Sequence, residues 1–159
     1  MNETVYELIH LLTERGLTIS TAESLTGGLL AAKLISVPGA SKAYREGFVA
    51  YAAEAKARTL GVSEEILLLH GTISPQTAEA MAAGAAERAR TDVALSTTGN
   101  AGPDADEGKP VGLVYTSVYY KGKFFTSEHH LSGSRNEIRE QVVDLSVENC
   151  LKMIKEDVL

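Results

Sequence analysis

The sequence predicts an α/β fold: a three-layer α/β/α sandwich with a mixed, mostly parallel sheet of about five strands. Three observations carry this. Short apolar or β-branched runs alternate with amphipathic stretches along most of the chain. The run Asp92–Thr97 is almost unbroken in its apolar character, as expected of a central strand buried on both faces. Two strand-like runs flank Lys121-Gly122, which predicts an antiparallel hairpin beside the parallel strands.

The elements follow in order. Val5, Leu8, Ile9 and Leu12 recur at helical spacing before Gly16, so a helix spans about residues 3–15. Leu17–Thr21 is a short strand running into AESLTGG, and GGLLAAKLIS is a helix opening at the glycines and broken by Pro38-Gly39. Phe48–Tyr51 reads as a second strand, and Ala52–Leu60 as a helix closed by Gly61. His70-Gly71 marks a helix terminus. Ser74-Pro75 supplies a cap and an N-terminal proline for the next helix, QTAEAMAAGAAERAR. After the central strand comes a loop of turn formers, GNAGPDADEGKP, then the hairpin Val111–Tyr120 and Lys123–Leu131. Ile138, Val142, Leu145, Leu151, Ile154 and Val158 predict a long closing helix from about Arg135. No linker divides the 159 residues, which suit a single domain over 1–159.

Composition narrows the function. With 44% hydrophobic and 23% charged residues the chain reads as soluble and globular. Its apolar runs are too short to cross a bilayer, and MNETVYELIH lacks the layout of a signal peptide, so a cytoplasmic protein without a membrane partner is expected. A formal charge of −6 argues against a nucleic-acid footprint but not against one phosphate held by backbone amides. The lone Cys150 falls in a helical pattern, where a buried thiol is expected. His10, His70, His129 and His130 show no metal-ligand spacing, so neither a metal nor a cofactor is expected. Abundant alanine leaves a homo-oligomer open.

Three segments carry candidate chemistry, each next to a strand, and in open α/β sheets ligands collect beyond the carboxyl ends of strands. In Thr21–Gly28, Gly27 and Gly28 open a helix whose amides and dipole favour an anion, and Ser24 and Thr26 add hydroxyls; a plain capped helix start is the competing reading. In Ser96–Pro103, Thr98 and Gly99 leave the central strand, where a simple turn competes. The third is Ser41, Tyr51 and Lys56. Ser41 also fits a helix cap and Lys56 a solvated surface, but a desolvated lysine near hydroxyls has a lowered pKa and can act as a base.

The ordered series TAESLTGGLLAAKL, VPGAS, GFVAYAAEAKARTLGV, HGTIS, TGNAGPDADEGKPVG and SGSRNEIR resembles the nicotinamide mononucleotide deamidase (CinA C-terminal) family, from about Leu17 to Arg139. The resemblance implies an α/β/α sandwich that hydrolyses the carboxamide of nicotinamide mononucleotide to nicotinic acid mononucleotide and ammonia. It implies no metal, and a form without the additional N-terminal domain of some relatives. Carried over by position, it implies catalytic roles for Ser41 as nucleophile, Lys56 as base and Tyr51 as proton relay. Ser24, Thr26, Gly27, Gly28, Thr98, Gly99 and Arg135 would bind the substrate. Ser24 stays open as the alternative nucleophile. The chain departs from the family pattern at Leu25, Asn100, Ser134 and above all Ala52-Ala53, where the family usually has Ser-Asn. That last change leaves a second reading open, a nucleotide-binding module of the same fold with weak or lost turnover.

Overall fold

The computed structural model describes residues 2–157, so Val158, assigned above to the closing helix, lies outside the described residues. Strand β1 (Ile19–Glu23) is buried along its whole length and organises the rest. It pairs in parallel with β2 (Tyr44–Val49) on one side and with β3 (Val93–Gly99) on the other. β3 pairs antiparallel with β4 (Leu113–Tyr120), and β4 with β5 (Lys123–His130), giving the order β2-β1-β3-β4-β5. Four of the five strands therefore point the same way, and β4 alone is reversed. The β4–β5 turn is Lys121-Gly122, both at positive φ as a two-residue hairpin requires.

Alternation along the strands sends side chains into two separate cores. Ile19, Val93, Leu95 and Val118 pack against α1 (Asn2–Glu14), α2 (Leu29–Ile35) and α6 (Arg135–Glu156). The α1 contribution is Val5, Leu8, Ile9 and Leu12, one helical stripe of four buried residues. Ala22 and Ala94 face the other way, towards α3 (Ala53–Leu60), α4 (Glu64–His70) and α5 (Pro75–Ala89). That second layer is built from small residues. At Gly84 a Cβ would stand 1.9 Å from the Leu60 carbonyl oxygen, so α5 passes α3 at a distance only glycine permits. Cys150 is buried in the first core, and burial pushes its thiol pKa up.

Three elements differ from the sequence reading. β1 begins two residues later than Leu17, and β2 runs from Tyr44 to Val49 rather than from Phe48 to Tyr51. β2 is an edge strand, mostly exposed, so it tolerates Arg45 and Glu46 and escapes a search for apolar runs. Helix α4 ends at the expected His70-Gly71 terminus, but the sequence reading gave it no start. It has no buried residue, is capped by Ser63, whose Oγ accepts from the Ile66 amide, and leaves Leu68 87% exposed.

Candidate active site

Lys56 is the centre of the site. It sits on α3, is 1% exposed, and its Nζ donates to Ser24 Oγ at 3.0 Å, to the Ala50 carbonyl at 2.9 Å and to the Tyr51 carbonyl at 2.9 Å. Three donors meet three acceptors, so the ammonium is fully directed. Burial lowers its pKa to about 8, while the Glu107 charge acts in the opposite direction. The backbone brings these groups together: the Ala50 amide donates to the Glu23 carbonyl at 3.0 Å, continuing the β1–β2 pairing past the strand and setting the Ala50 and Tyr51 carbonyls beside Ser24.

Ser24 immediately follows β1 and is 7% exposed. Its amide donates to the Thr97 carbonyl at 3.0 Å, which fixes the residue against β3. The chain then turns into α2, and Arg139 holds that turn from α6. Its Nε donates to the Leu25 carbonyl at 2.7 Å and its Nη2 to the Thr26 carbonyl at 3.2 Å. Next to the Ser24–Lys56 pair lies a pocket of about 320 Å³, lined by Leu25, Tyr51, the Gly99–Asp106 segment and Arg135. Arg135 spans its mouth. Nη2 donates to the Tyr51 hydroxyl at 3.0 Å and Nη1 to the Gly102 carbonyl.

The residues expected at the site divide sharply. Ser24, Lys56, Tyr51, Gly99 and Arg135 come together. Ser41 does not, which corrects its pairing with Lys56. It lies exposed in the turn Ala40–Lys42 before β2, whereas Lys56 follows the other end of that strand. Six strand residues separate the two turns by roughly 20 Å. Tyr51 is 60% exposed and offers Lys56 its carbonyl, while its hydroxyl meets Arg135, so the phenol does not stand between serine and lysine.

Thr26, Thr98, Gly27 and Gly28 are not among the residues lining that pocket. The Thr26 hydroxyl is fully buried against Thr97 Oγ1 at 2.8 Å, and Thr98 Oγ1 donates to the Thr72 carbonyl at 2.6 Å. Both fasten elements together. Gly28 does cap α2 in the left-handed region, at φ 106°. The negative charge at that helix start is nevertheless internal. The buried Glu23 carboxylate accepts from the Leu30 amide at 2.8 Å and the Ala31 amide at 3.0 Å. Ala52 is the N-cap residue of α3, with no side-chain cap bond, and Ala53 begins the helix.

Sequence reasoning missed Arg139 and the pair Glu107 and Lys109, and gave Glu23 no role. One signal was available for Arg139: four residues after Arg135 on a helix, it must share a face with it. Among the described residues, no three His, Cys, Asp or Glu side chains gather as metal ligands, and no helix is long and apolar enough to cross a membrane.

Fold and site together define an α/β protein with a buried serine–lysine pair beside a polar pocket, at the carboxyl ends of its parallel strands. The CinA C-terminal domain model matches residues 2–155, and the chain belongs to that family. It is 50% identical over 135 residues to a CinA-like protein of Kosmotoga olearia, a match covering 84% of this chain and 33% of the relative. It is 49% identical over 133 residues to a CinA-like protein of Dictyoglomus turgidum, covering 83% and 32%. The chain thus spans about a third of the length of the curated relatives it matches. A crystal structure of a CinA superfamily protein from Klebsiella pneumoniae superposes with a TM-score of 0.94 at 30% identity, covering 97% of each chain. The competence/damage inducible protein CihA of Agrobacterium tumefaciens superposes with a TM-score of 0.92 at 39% identity, covering 98% of this chain and 95% of that one.

Proposed function

We propose that the chain is an amidohydrolase that converts nicotinamide mononucleotide to nicotinic acid mononucleotide and ammonia, with Ser24 as nucleophile and Lys56 as base. The observation that carries this is the 3.0 Å contact between a buried lysine amine and a serine hydroxyl, beside a pocket that the adjoining Leu25 and Tyr51 line. With its pKa near 8, a substantial fraction of Lys56 is neutral in mildly alkaline solution, and the amine then accepts the Ser24 proton. The alkoxide attacks the carboxamide carbon. The amides of Leu25 and Thr26, which meet no acceptor among the described residues, are the donors proposed for the oxyanion. Collapse breaks the C–N bond as the Lys56 ammonium gives its proton to the departing amide nitrogen, which leaves as ammonia. Neutral Lys56 then takes a proton from water as its oxygen bonds to the acyl carbon, and returns that proton to Ser24 Oγ as the ester bond breaks, releasing the acid and restoring the hydroxyl.

Arg135 is the cation at the pocket mouth and the group proposed to meet the phosphate. Ala52-Ala53 does not remove the base or the nucleophile from this scheme, because the exchange falls at the start of α3. The test is ammonia release from nicotinamide mononucleotide by the purified protein. Saturable release supports the reading. Binding of the mononucleotide with no ammonia formed defeats it in favour of a binding module.

A further inference from the structure

The loop that walls the pocket is fastened from outside it. Glu107 Oε2 accepts from the Thr72 amide at 2.9 Å and the Thr72 hydroxyl at 2.6 Å, and Oε1 accepts from the Ile73 amide at 3.1 Å. Lys109, 3.6 Å from that carboxylate, donates to the His70 carbonyl at 3.2 Å and to the Ile73 carbonyl. The turn is shaped to receive this group. Gly71 lies at φ 76°, and a Cβ there would stand 2.6 Å from Glu107 Oε1. The Thr98 hydroxyl ties the same Thr72 to the end of β3 from below. Thus one carboxylate joins the pocket loop to the α4–α5 turn, and through it to the strand that flanks Ser24.

We propose that Glu107 is a positioning residue for the site: it locks the pocket wall in place against the α4–α5 turn, and its charge adds to the surroundings of Lys56. This rests on the reading of Lys56 as the base. Most other charged groups nearby are engaged or outlying; the exceptions are the pocket-lining aspartates. Glu23 is turned into α2, Arg135 is bound to Tyr51 and Gly102, Lys109 is bound to the α4–α5 turn, Asp104 and Asp106 line the pocket, and Glu54 and Arg58 are exposed on α3. Glu107 itself stays ionised. Burial opposes this, but bonds from Thr72 and Ile73 and the Lys109 charge hold its carboxyl below the usual range.

The experiment compares wild type, Glu107→Gln and Glu107→Asp, with Lys56→Met used to assign the lysine resonance. Lys56 is titrated by side-chain NMR, and KM and kcat for nicotinamide mononucleotide are measured in parallel. Glu107→Gln removes the charge, so the Lys56 midpoint moves below its wild-type value near 8. Glu107→Asp keeps the charge but shortens the clip, so KM rises severalfold while the midpoint holds. An unchanged midpoint in Glu107→Gln, or an unchanged KM in Glu107→Asp, overturns the proposal. The NMR titration needs no turnover. A wild type that releases no ammonia but shows the shifted midpoint in Glu107→Gln defeats the amidohydrolase reading and leaves the placement of Glu107 standing.

Discussion

Replacing Lys56 with methionine separates the chemistry of this lysine from its burial. The folded-state pKa lies near 8 against an ordinary 10.5, so the native protein holds the proton less tightly than the unfolded chain does. The sign follows directly. Below about pH 8 both states are protonated and the full cost of burying the charge is present. Between about 8 and 10.5 only the unfolded chain holds the proton, and native stability rises with pH. At about 1.4 kcal/mol per pKa unit, the gain is about 3 kcal/mol. Urea unfolding of wild type and Lys56→Met across this range isolates it, because groups common to both proteins cancel in the difference. The wild type should gain about 3 kcal/mol on the variant as pH rises. In the same pair ammonia release should vanish in Lys56→Met, while nicotinamide mononucleotide still raises its melting temperature. A stability difference flat with pH would refute the desolvated lysine, and near-wild-type turnover would refute its role as base.

Other outcomes follow from particular contacts. Ala52→Ser supplies the missing cap of α3 and should stabilise the fold by about 1 kcal/mol in urea unfolding, with little change in kcat. Gly84→Ala drives a methyl into the Leu60 carbonyl oxygen and should destabilise by about 3 kcal/mol, the upper end of overpacking costs, read from the denaturation midpoint. Arg135→Ala removes the cation at the pocket mouth and should raise KM for nicotinamide mononucleotide by about tenfold or more. The same variant should leave the KM for nicotinamide riboside, which lacks the phosphate, nearly unchanged.

The sandwich, the hairpin and the buried central strand were legible because each has a local signature: alternation, a glycine turn, or an unbroken apolar run. The edge strand β2 was partly lost because its pattern carries charges that only an edge accepts. Lys56 was singled out, but its partner was left between Ser41, the preferred choice, and Ser24. Ser41 and Ser24 both lie in hydroxyl-bearing loops, and only the parallel pairing of β1 and β2 puts the loop before β2 and the loop after β1 at opposite ends of the sheet. The glycines Gly27 and Gly28 announced an anion at a helix start. Which anion fills it depends on Glu23, whose side chain reaches seven and eight residues along the chain to cap α2. Glu107 was out of reach for the same reason, since its partners Thr72 and Ile73 are 35 and 34 residues away. Local pattern does not encode such pairings.

The central claim is that Ser24, held by Lys56 at 3.0 Å, is the nucleophile, and that the exposed Ser41 is outside the site. Ammonia release from nicotinamide mononucleotide under single-turnover conditions by wild type, Ser24→Ala and Ser41→Ala tests it most directly. Ser24→Ala should lose at least about a hundredfold in rate and Ser41→Ala should stay near wild type. Full turnover by Ser24→Ala together with a silent Ser41→Ala would contradict the account.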